Sequence, residues 1–568
     1  MMPSLRSPSL NLIHLLRPCL LLCSLSSLSA SVVTHLPGYE GTLPFHLETG
    51  YVSVDEQRGA ELFYYFVRSE GEPEDDPLLL WLSGGPGCSS FSALAFEVGP
   101  VTFTTKEYDG NLPKLEQRTY AWTKIANIIF VDSPVGTGFS FIKNPVAYDV
   151  GERTSIAYLY DFLIKWLIDH PQFFSCPLYI VGESHAGKIA PAVAQLIAEG
   201  ISSGKQPLLN LKGYLLGNPF TGESIDINSR VPFAHGMGII SDEFYKMLQK
   251  NCQGQDHRYP TTAGCATNIK TFEEICTEIS MFYISDPLCG DDSPTQLSVG
   301  KNTRSLLEEH MGLLNPPSPP DFICRGYAYY LSYFWANNNL TQEALHVKKG
   351  TVAEWFRCNH YLRYNLFKYD LPSSLQYHLN LTRAGYRALV FSGDHDMYVP
   401  FLGTYAWIKS LSYPVVEEWR SWHVGGQVVG YTKSYSNNLT FATIKFIVFG
   451  RVLGMKLAHT SLRSVLPCSR GGFLTSLYDD EEEDNKPSDK NNSGIPLANE
   501  TEVNFFTKEQ MDQLFKLLKS NLTSDIPSGS LAQSGGEKDK SIARDGEFLV
   551  SKVVDFGDVP RGQWNSSV

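Results

Sequence analysis

The chain has 568 residues, 43% of them hydrophobic and 12% aromatic, which is enough apolar side chain to build a large buried core. Lys and Arg number 47 against 60 Asp and Glu, and the resulting net charge of −13 argues against nucleic acid as a partner. Part of that charge sits in one run, Asp479-Asp480-Glu481-Glu482-Glu483-Asp484.

In chain order, Arg6 and Arg17 precede the apolar run Cys19–Leu25 and small residues ending at Ala30. This pattern predicts a cleaved secretory signal over residues 1–30, since the run falls short of the ~20 apolar residues a membrane span needs. The apolar run Pro77–Leu80 leads into Trp81-Leu82-Ser83-Gly84-Gly85-Pro86-Gly87-Cys88-Ser89-Ser90. Such a Gly-rich loop after a strand can bring bare backbone N–H groups close to a ligand, as an oxyanion hole requires. Ile128–Val131 predicts a short strand, and Leu159, Phe162, Leu163, Trp166 and Leu167 carry helical spacing up to Asp169; the two alternate as βα units do. Next come Leu178–Val181 and Gly182-Glu183-Ser184-His185-Ala186-Gly187, then a helix-like stretch through Leu196. A serine between glycines at a strand-to-helix turn matches the nucleophile elbow of α/β-hydrolases. An ordinary Gly-bounded turn has the same letters, so the other segments decide. Ala388–Val390 then leads to Phe391-Ser392-Gly393-Asp394-His395-Asp396, carboxylates at a strand's end where an acid orienting a histidine belongs. Ser followed by Asp is the hydrolase order, with His expected last.

From Leu36 to Lys445 these segments resemble the plant serine carboxypeptidase-like family. Leu36-Pro37-Gly38-Tyr39, Asp132–Ser140, Leu216-Gly217-Asn218-Pro219, Pro232–Met237 and Ala344-Leu345-His346-Val347 are similar to family motifs. The wording at Phe91-Ser92-Ala93-Leu94 and Tyr435-Ser436-Asn437 is nearest the branch that contains acyltransferases, which move acyl groups from glucose esters onto small acceptors. The resemblance implies an α/β-hydrolase fold: a mostly parallel central sheet with helices on both faces and an inserted Cys-rich helical cap over about 219–324. It makes Ser184 the nucleophile, Asp396 the histidine-orienting acid, and the N–H groups of Gly85 and His185 the oxyanion hole. Ser83, Gly84, Glu97 and Glu183 would grip a substrate's terminal carboxylate. Two carboxyls facing one site cannot both ionise cheaply, so a shared proton and an acidic working pH are expected. Without the motif, Glu97 would read as a solvated helix charge. The family implies no cofactor.

Entry to the secretory route permits disulfides, and the resemblance implies Cys88–Cys358, Cys252–Cys265 and Cys289–Cys324 among the 11 cysteines. No metal is expected, because neither a C-x-x-C pair nor His-rich spacing accompanies them. Asn339, Asn380 and Asn438 are sequons consistent with a glycosylated surface. Asn491, Asn499, Asn521 and Asn565 match too, in the polar tail.

The chain departs from the family in several places. Ser83 stands for the peptidase Asn, a shorter donor. Glu183 is the peptidase residue where the acyltransferase branch usually has Asp. His185 replaces the usual Tyr, and Lys188 replaces an apolar residue or Tyr. The family's closing glycine run and His-Thr-Ala-Pro should follow Phe441–Lys445, but Phe446-Ile447-Val448-Phe449-Gly450-Arg451 stands there. His459, in Ala458-His459-Thr460-Ser461, superficially matches that motif. Codons allowed for Arg463–Phe473, read from each third base, spell Glu-Cys-Phe-Ala-Met-Phe-Lys-Arg-Trp-Ile, similar to the family's closing helix. Residues 446–474 therefore read as coding sequence in the wrong frame, with His459 a frame accident; a divergent C-terminus is the alternative. The tail, 475–568, is acidic and polar and buries too little to fold alone, with one capped helix predicted from Thr507 to Leu518. It resembles spacer sequence of copia-type retrotransposon polyproteins around Ser530-Leu531-Ala532-Gln533.

The domains expected are thus a signal (1–30), a hydrolase domain (31–445), an aberrant segment (446–474) and a tail. The function expected is removal of C-terminal residues from peptides by a Ser-His-Asp acyl-enzyme route in the secretory pathway, extracellular or vacuolar. Acyl transfer from glucose esters is one alternative, and a catalytically dead secreted protein lacking its histidine is another. The expected partners are peptide C-termini or small acyl donors and acceptors, with no nucleic acid and no membrane span.

Overall fold

The computed structural model describes residues 31–104, 111–144, 149–286, 325–424 and 427–445. The expected signal segment, Cys289, Cys324, His459, residues 446–474 and the tail lie outside the described residues.

Runs of β-branched and aromatic residues form the strands of one large sheet. They are β1 (Ser31–Val33), β2 (Leu47–Asp55), β3 (Ala60–Val67), β4 (Leu78–Leu82), the small pair β5 (Val101–Phe103) and β6 (Leu115–Gln117), β7 (Asn127–Val131), β8 (Phe141–Ile142), β9 (Leu178–Glu183), β10 (Leu211–Gly217), β11 (Arg387–Gly393), β12 (Val415–Val424), β13 (Gln427–Tyr435) and β14 (Leu439–Ile444). The main order is β1-β2-β3-β7-β4-β9-β10-β11-β14-β13-β12, with β8 beside β3 and with β5–β6 as a separate hairpin. From β7 to β14 every neighbouring pair is parallel, while both flanks are antiparallel. The middle strands are buried on both faces, as parallel strands under helices must be, and so read as unbroken apolar runs.

Alternation along each strand divides the core into two layers. Leu79, Trp81, Ile128, Phe130, Tyr179 and Val181 belong to one apolar cluster. Their neighbours Leu78, Leu80, Leu82, Ile129 and Ile180 belong to the other. The second layer is covered by α1 (Glu152–Asp169), which buries the predicted stripe Leu159, Phe162, Leu163, Trp166 and Leu167, and by α2 (Ala186–Ser202). After β10 the chain leaves the sheet for α3 (Ile225–Asn228), α4 (Arg230–Gly236), α5 (Asp242–Asn251) and α6 (Ala263–Cys276), of which the last three share a small core of their own around Phe233, Leu248 and Phe272. The Cys252–Cys265 disulfide ties α5 to α6. The first layer is completed by α7 (Arg325–Asn337), whose Tyr327, Leu331 and Trp335 pack against it; α8 (Asn339–Ala344), α9 (Leu375–Arg383) and α10 (Phe401–Ser410) follow. The fold is that of an α/β-hydrolase, with a mostly parallel sheet and helices on both faces. Asn339, Asn380 and Asn438 are all exposed.

Candidate active site

Parallel pairing aligns the carboxyl ends of the middle strands, where ligands bind in such sheets. Leu82 pairs with Gly182, and Gly217 pairs with both Glu183 and Phe391. The loops beginning at Ser83, Ser184, Asn218 and Asp394 therefore emerge side by side.

Ser184 has φ of 50°, the left-handed region, which a non-glycine residue adopts only where surroundings enforce it. Its backbone is held from both sides: its N–H donates to the Gly217 carbonyl (3.0 Å), and its carbonyl accepts from Gly187 (2.9 Å) and Phe220 (2.9 Å). The flanking glycines are required by close approach. A Cβ on Gly182 would stand 2.5 Å from the Ala186 carbonyl oxygen, and one on Gly187 would stand 2.4 Å from the Pro219 side chain. Strand, turn and helix at Ser184 thus have the tight geometry expected of a nucleophile elbow.

The Gly-rich loop lies directly over it. A Cβ on Gly84 would come within 2.7 Å of the Ser184 Cβ, so only a bare backbone fits there. Gly85 takes φ of 117°. Buried Asp132 holds the far side of this loop, accepting from the Ser89 hydroxyl (2.7 Å), the Ser90 N–H (2.9 Å) and, on its other oxygen, the Phe139 N–H (3.0 Å). Burial pushes its carboxyl up to about 7 against these bonds. The Cys88–Cys358 disulfide fastens the loop to a segment 270 residues away, beside the Asn359 N–H to Gly87 carbonyl bond (2.8 Å).

Glu97 is buried at the end of a π-helical turn, Ala93–Glu97, rather than solvated. It meets Glu183: burial, then the neighbouring Glu183 charge, holds the Glu97 carboxyl well above the carboxylate range. Burial raises Glu183 too, while hydrogen bonds from Glu97 and the Gly84 N–H (3.3 Å) pull the other way. Glu97 therefore keeps the shared proton and Glu183 accepts it. Arg118 locks the turn by donating to the Ala95 (2.6 Å), Phe96 (3.3 Å) and Glu97 (3.2 Å) carbonyls. Two polar atoms here, the Ser83 hydroxyl and the Glu97 Oε2, are buried with no partner among the described residues.

His185 and Lys188, the two departures on the elbow helix, share one partner that sequence reasoning missed. Glu152, the first residue of α1, is fully buried; its Oε1 accepts from Lys188 Nζ (2.6 Å) and lies 3.0 Å from His185 Nε2, and its Oε2 accepts from the Leu371 N–H (2.6 Å). Burial alone would raise this carboxyl, but the His185 and Lys188 hydrogen bonds outweigh it and hold it low. The His185 ring, kept below its usual range by burial, lines a small cavity behind the elbow with Ser83, Pro86, Ser133, Ile189 and Phe367.

Asp396 lies in the loop after β11, its Oδ1 accepting from the Val399 N–H at 2.9 Å. Burial pushes its carboxyl up to about 7, opposed by backbone hydrogen bonds and by Arg230. Asn218 positions this loop through the bonds Asn218 N–H to Phe391 carbonyl (2.9 Å) and Gly393 N–H to Asn218 Oδ1 (3.2 Å). Among the described residues no side chain hydrogen-bonds the Ser184 hydroxyl, and His395 bonds Asp394 (2.6 Å) instead. β14 runs beside β11 with Gly393 opposite Ile444, and the Asp394 N–H reaches the Ile444 carbonyl at 3.0 Å. Lys445 thus lies next to the loop that carries Asp396.

Comparison with known proteins agrees with the α/β-hydrolase fold. Residues 37–446 match the serine carboxypeptidase family. Serine carboxypeptidase-like 17 of Arabidopsis thaliana is 46% identical over 419 residues, covering 73% of this chain and 88% of that protein. Serine carboxypeptidase-like 7 of the same plant is 44% identical over 418 residues, covering 73% and 89%. Among solved structures, a prohormone-processing carboxypeptidase from Saccharomyces cerevisiae aligns with a TM-score of 0.57 at 20% identity, covering 76% of this chain and 93% of that one, which bears on the fold alone.

Proposed function

The chain belongs to the serine carboxypeptidase family, and we propose that within it the site releases C-terminal residues from peptides through an acyl-enzyme on Ser184. The observation that carries this reading is the buried Glu97–Glu183 pair against the elbow. A carboxyl that keeps its proton can donate a hydrogen bond to a substrate's terminal carboxylate, which two ionised groups would repel. The unpartnered Ser83 hydroxyl beside them supplies a further donor.

In this scheme the Ser184 oxygen attacks the last peptide carbonyl and forms the ester, and the terminal amino acid leaves as the amine. The N–H groups of Gly85 and His185 hold the charge that develops on the carbonyl oxygen; such donors are worth ~3–4 kcal/mol each in other hydrolases. Asp396 orients the histidine that moves the proton, and water then releases the acyl group. Neither catalytic step needs a cofactor. That histidine must come from beyond Lys445. If residues 446–474 supply none, Ser184 is left with oxyanion-hole catalysis of about 10³–10⁴-fold over water, and the secreted chain is a binding protein. The N-terminal pattern directs the chain to the secretory route, toward the cell exterior or the vacuole. We take 31–445 as the hydrolase domain, and Asn339, Asn380 and Asn438 as glycan acceptors on its exposed face.

Acyl transfer from glucose esters is the second reading, favoured by Ser83, whose short side chain grips a carboxylate less firmly than an amide would. The deciding experiment incubates purified protein, with the family's Gly-His-Thr-Ala-Pro segment restored after Lys445, at pH 5 with N-blocked peptides and, separately, with a glucose ester and an alcohol acceptor. Release of C-terminal amino acids supports the first reading; product from the ester pair alone discards it.

A further inference from the structure

Arg363 is a guanidinium at the mouth of the elbow whose partners are phenols. Its segment is fixed in place by the Cys88–Cys358 disulfide, by the Asn359 N–H to Gly87 bond, and by Asn359 Nδ2 donating to the Gly136 carbonyl at 2.9 Å. Nη2 donates to the Tyr398 hydroxyl at 3.3 Å, two residues beyond Asp396, and the side chain also meets the Tyr369 hydroxyl. Tyr369 in turn packs edge-on against the His185 ring, centroids 5.9 Å apart. Nε is buried with no partner among the described residues, and no described carboxylate makes an ion pair with the group. The Glu97–Glu183 pair has separate cations, Arg118 and Arg357, whereas Arg363 acts on His185. Arg363 is thus associated with the His185 side of the turn rather than with the Glu97–Glu183 pair.

Arg363 is half-buried, but its Nε is sealed from solvent with no acceptor among the described residues, so one edge of the planar donor fork is desolvated without the carboxylate that would compensate it. Resting on the carboxypeptidase reading, we propose that Arg363 selects an anionic side chain, Asp or Glu, on the residue that becomes the acyl group. The carboxylate accepts two parallel N–H bonds from the fork, beside the rings of Tyr364, Tyr369 and Tyr398, the first two of which are exposed and leave the fork open to a substrate.

The test reads binding, so it does not depend on turnover. The full chain carrying Ser184→Ala is titrated calorimetrically at pH 5.5 with N-acetyl-Glu-Phe and N-acetyl-Gln-Phe, which share a free C-terminal carboxylate and differ only in the charge in question. The Glu peptide should bind about tenfold more tightly. Arg363→Gln should erase the difference by weakening the Glu peptide, and Arg363→Lys, retaining the charge, should keep part of it. Equal affinities in the parent, or a Glu preference that survives Arg363→Gln, overturn the proposal. Should Arg363→Gln fail to fold, the parent ratio and the Arg363→Lys ratio still decide. If N-acetyl-Glu-Phe amide binds as well as the acid while the Glu preference remains, the carboxypeptidase reading fails and the charge selection stands. Binding of neither peptide at millimolar concentration sinks both.

Discussion

Removing the Glu152 carboxylate should be far more costly than removing it together with Lys188. Glu152 has no exposed surface and satisfies three donors: Lys188 Nζ at 2.6 Å, His185 Nε2 at 3.0 Å and the Leu371 N–H at 2.6 Å. In Glu152→Ala a buried ammonium loses its counter-charge and a buried backbone N–H loses its acceptor. Breaking one side of such a pair costs ~3–5 kcal/mol, against a whole-domain stability of ~5–15 kcal/mol. A melting temperature roughly 10 °C lower should follow, at ~2–4 °C per kcal/mol. Lys188→Met in the same chain removes the stranded charge and puts a flexible apolar side chain in its place, so the double variant should recover at least half of the loss. Guanidinium denaturation at pH 5.5, followed by tryptophan fluorescence, measures the parent and both variants. A Glu152→Ala loss below about 1 kcal/mol, or a double variant weaker than the single, would refute the view that this carboxylate exists to compensate Lys188.

The Glu97 carboxyl is held protonated, so Glu97→Gln should bind N-acyl dipeptides within about threefold of the parent at pH 5, and its affinity should fall less from pH 5 to pH 8; a tenfold loss at pH 5 would mean that Glu97 acts as an anion. His170 is raised above its usual range because hydrogen bonding to Glu48 (2.9 Å) outweighs the burial that would lower it, and Glu48 is lowered because His170 and Tyr64 outweigh its own burial. The His170 contribution is complete below its unfolded value near 6.5 and is lost as pH rises through the folded value, whereas that of Glu48 is complete above its unfolded value near 4.5 and is lost on acidification. Stability should therefore peak between about pH 4.5 and 6.5, and His170→Gln should flatten the alkaline side; an unchanged pH profile of melting temperature would count against this. A fluorophosphonate probe should label the 568-residue chain weakly or not at all; strong labelling that disappears in Ser184→Ala would demonstrate a working base.

Much of the fold was legible because its central strands are buried on both faces and so appear as uninterrupted apolar runs, as at Leu78–Leu82 and Leu178–Val181. The elbow was legible because steric demand at Gly182 and Gly187 leaves a local signature. Glu97 was not legible from local pattern: alone it reads as a helix charge, and only family wording brought it to Glu183, 86 positions away. Glu152 escaped altogether. A glutamate opening a helix is ordinary, and nothing near it marks His185 and Lys188 as partners that meet it only when α1 and α2 pack together. Arg363 was likewise silent, since an arginine among tyrosines becomes informative only once the carboxylates around it can be located.

The bond between Cys88 and Cys358 also imposes an order in time. At ~5–20 residues per second of synthesis, residue 358 leaves the ribosome roughly 14–54 s after residue 88. During that interval the Gly-rich loop and the nascent elbow already exist as polypeptide, yet the clamp that shapes the one over the other has not been made. The loop over Ser184 thus gains its covalent anchor late, and for most of synthesis the turn around Ser184 lacks a tie that the finished fold has.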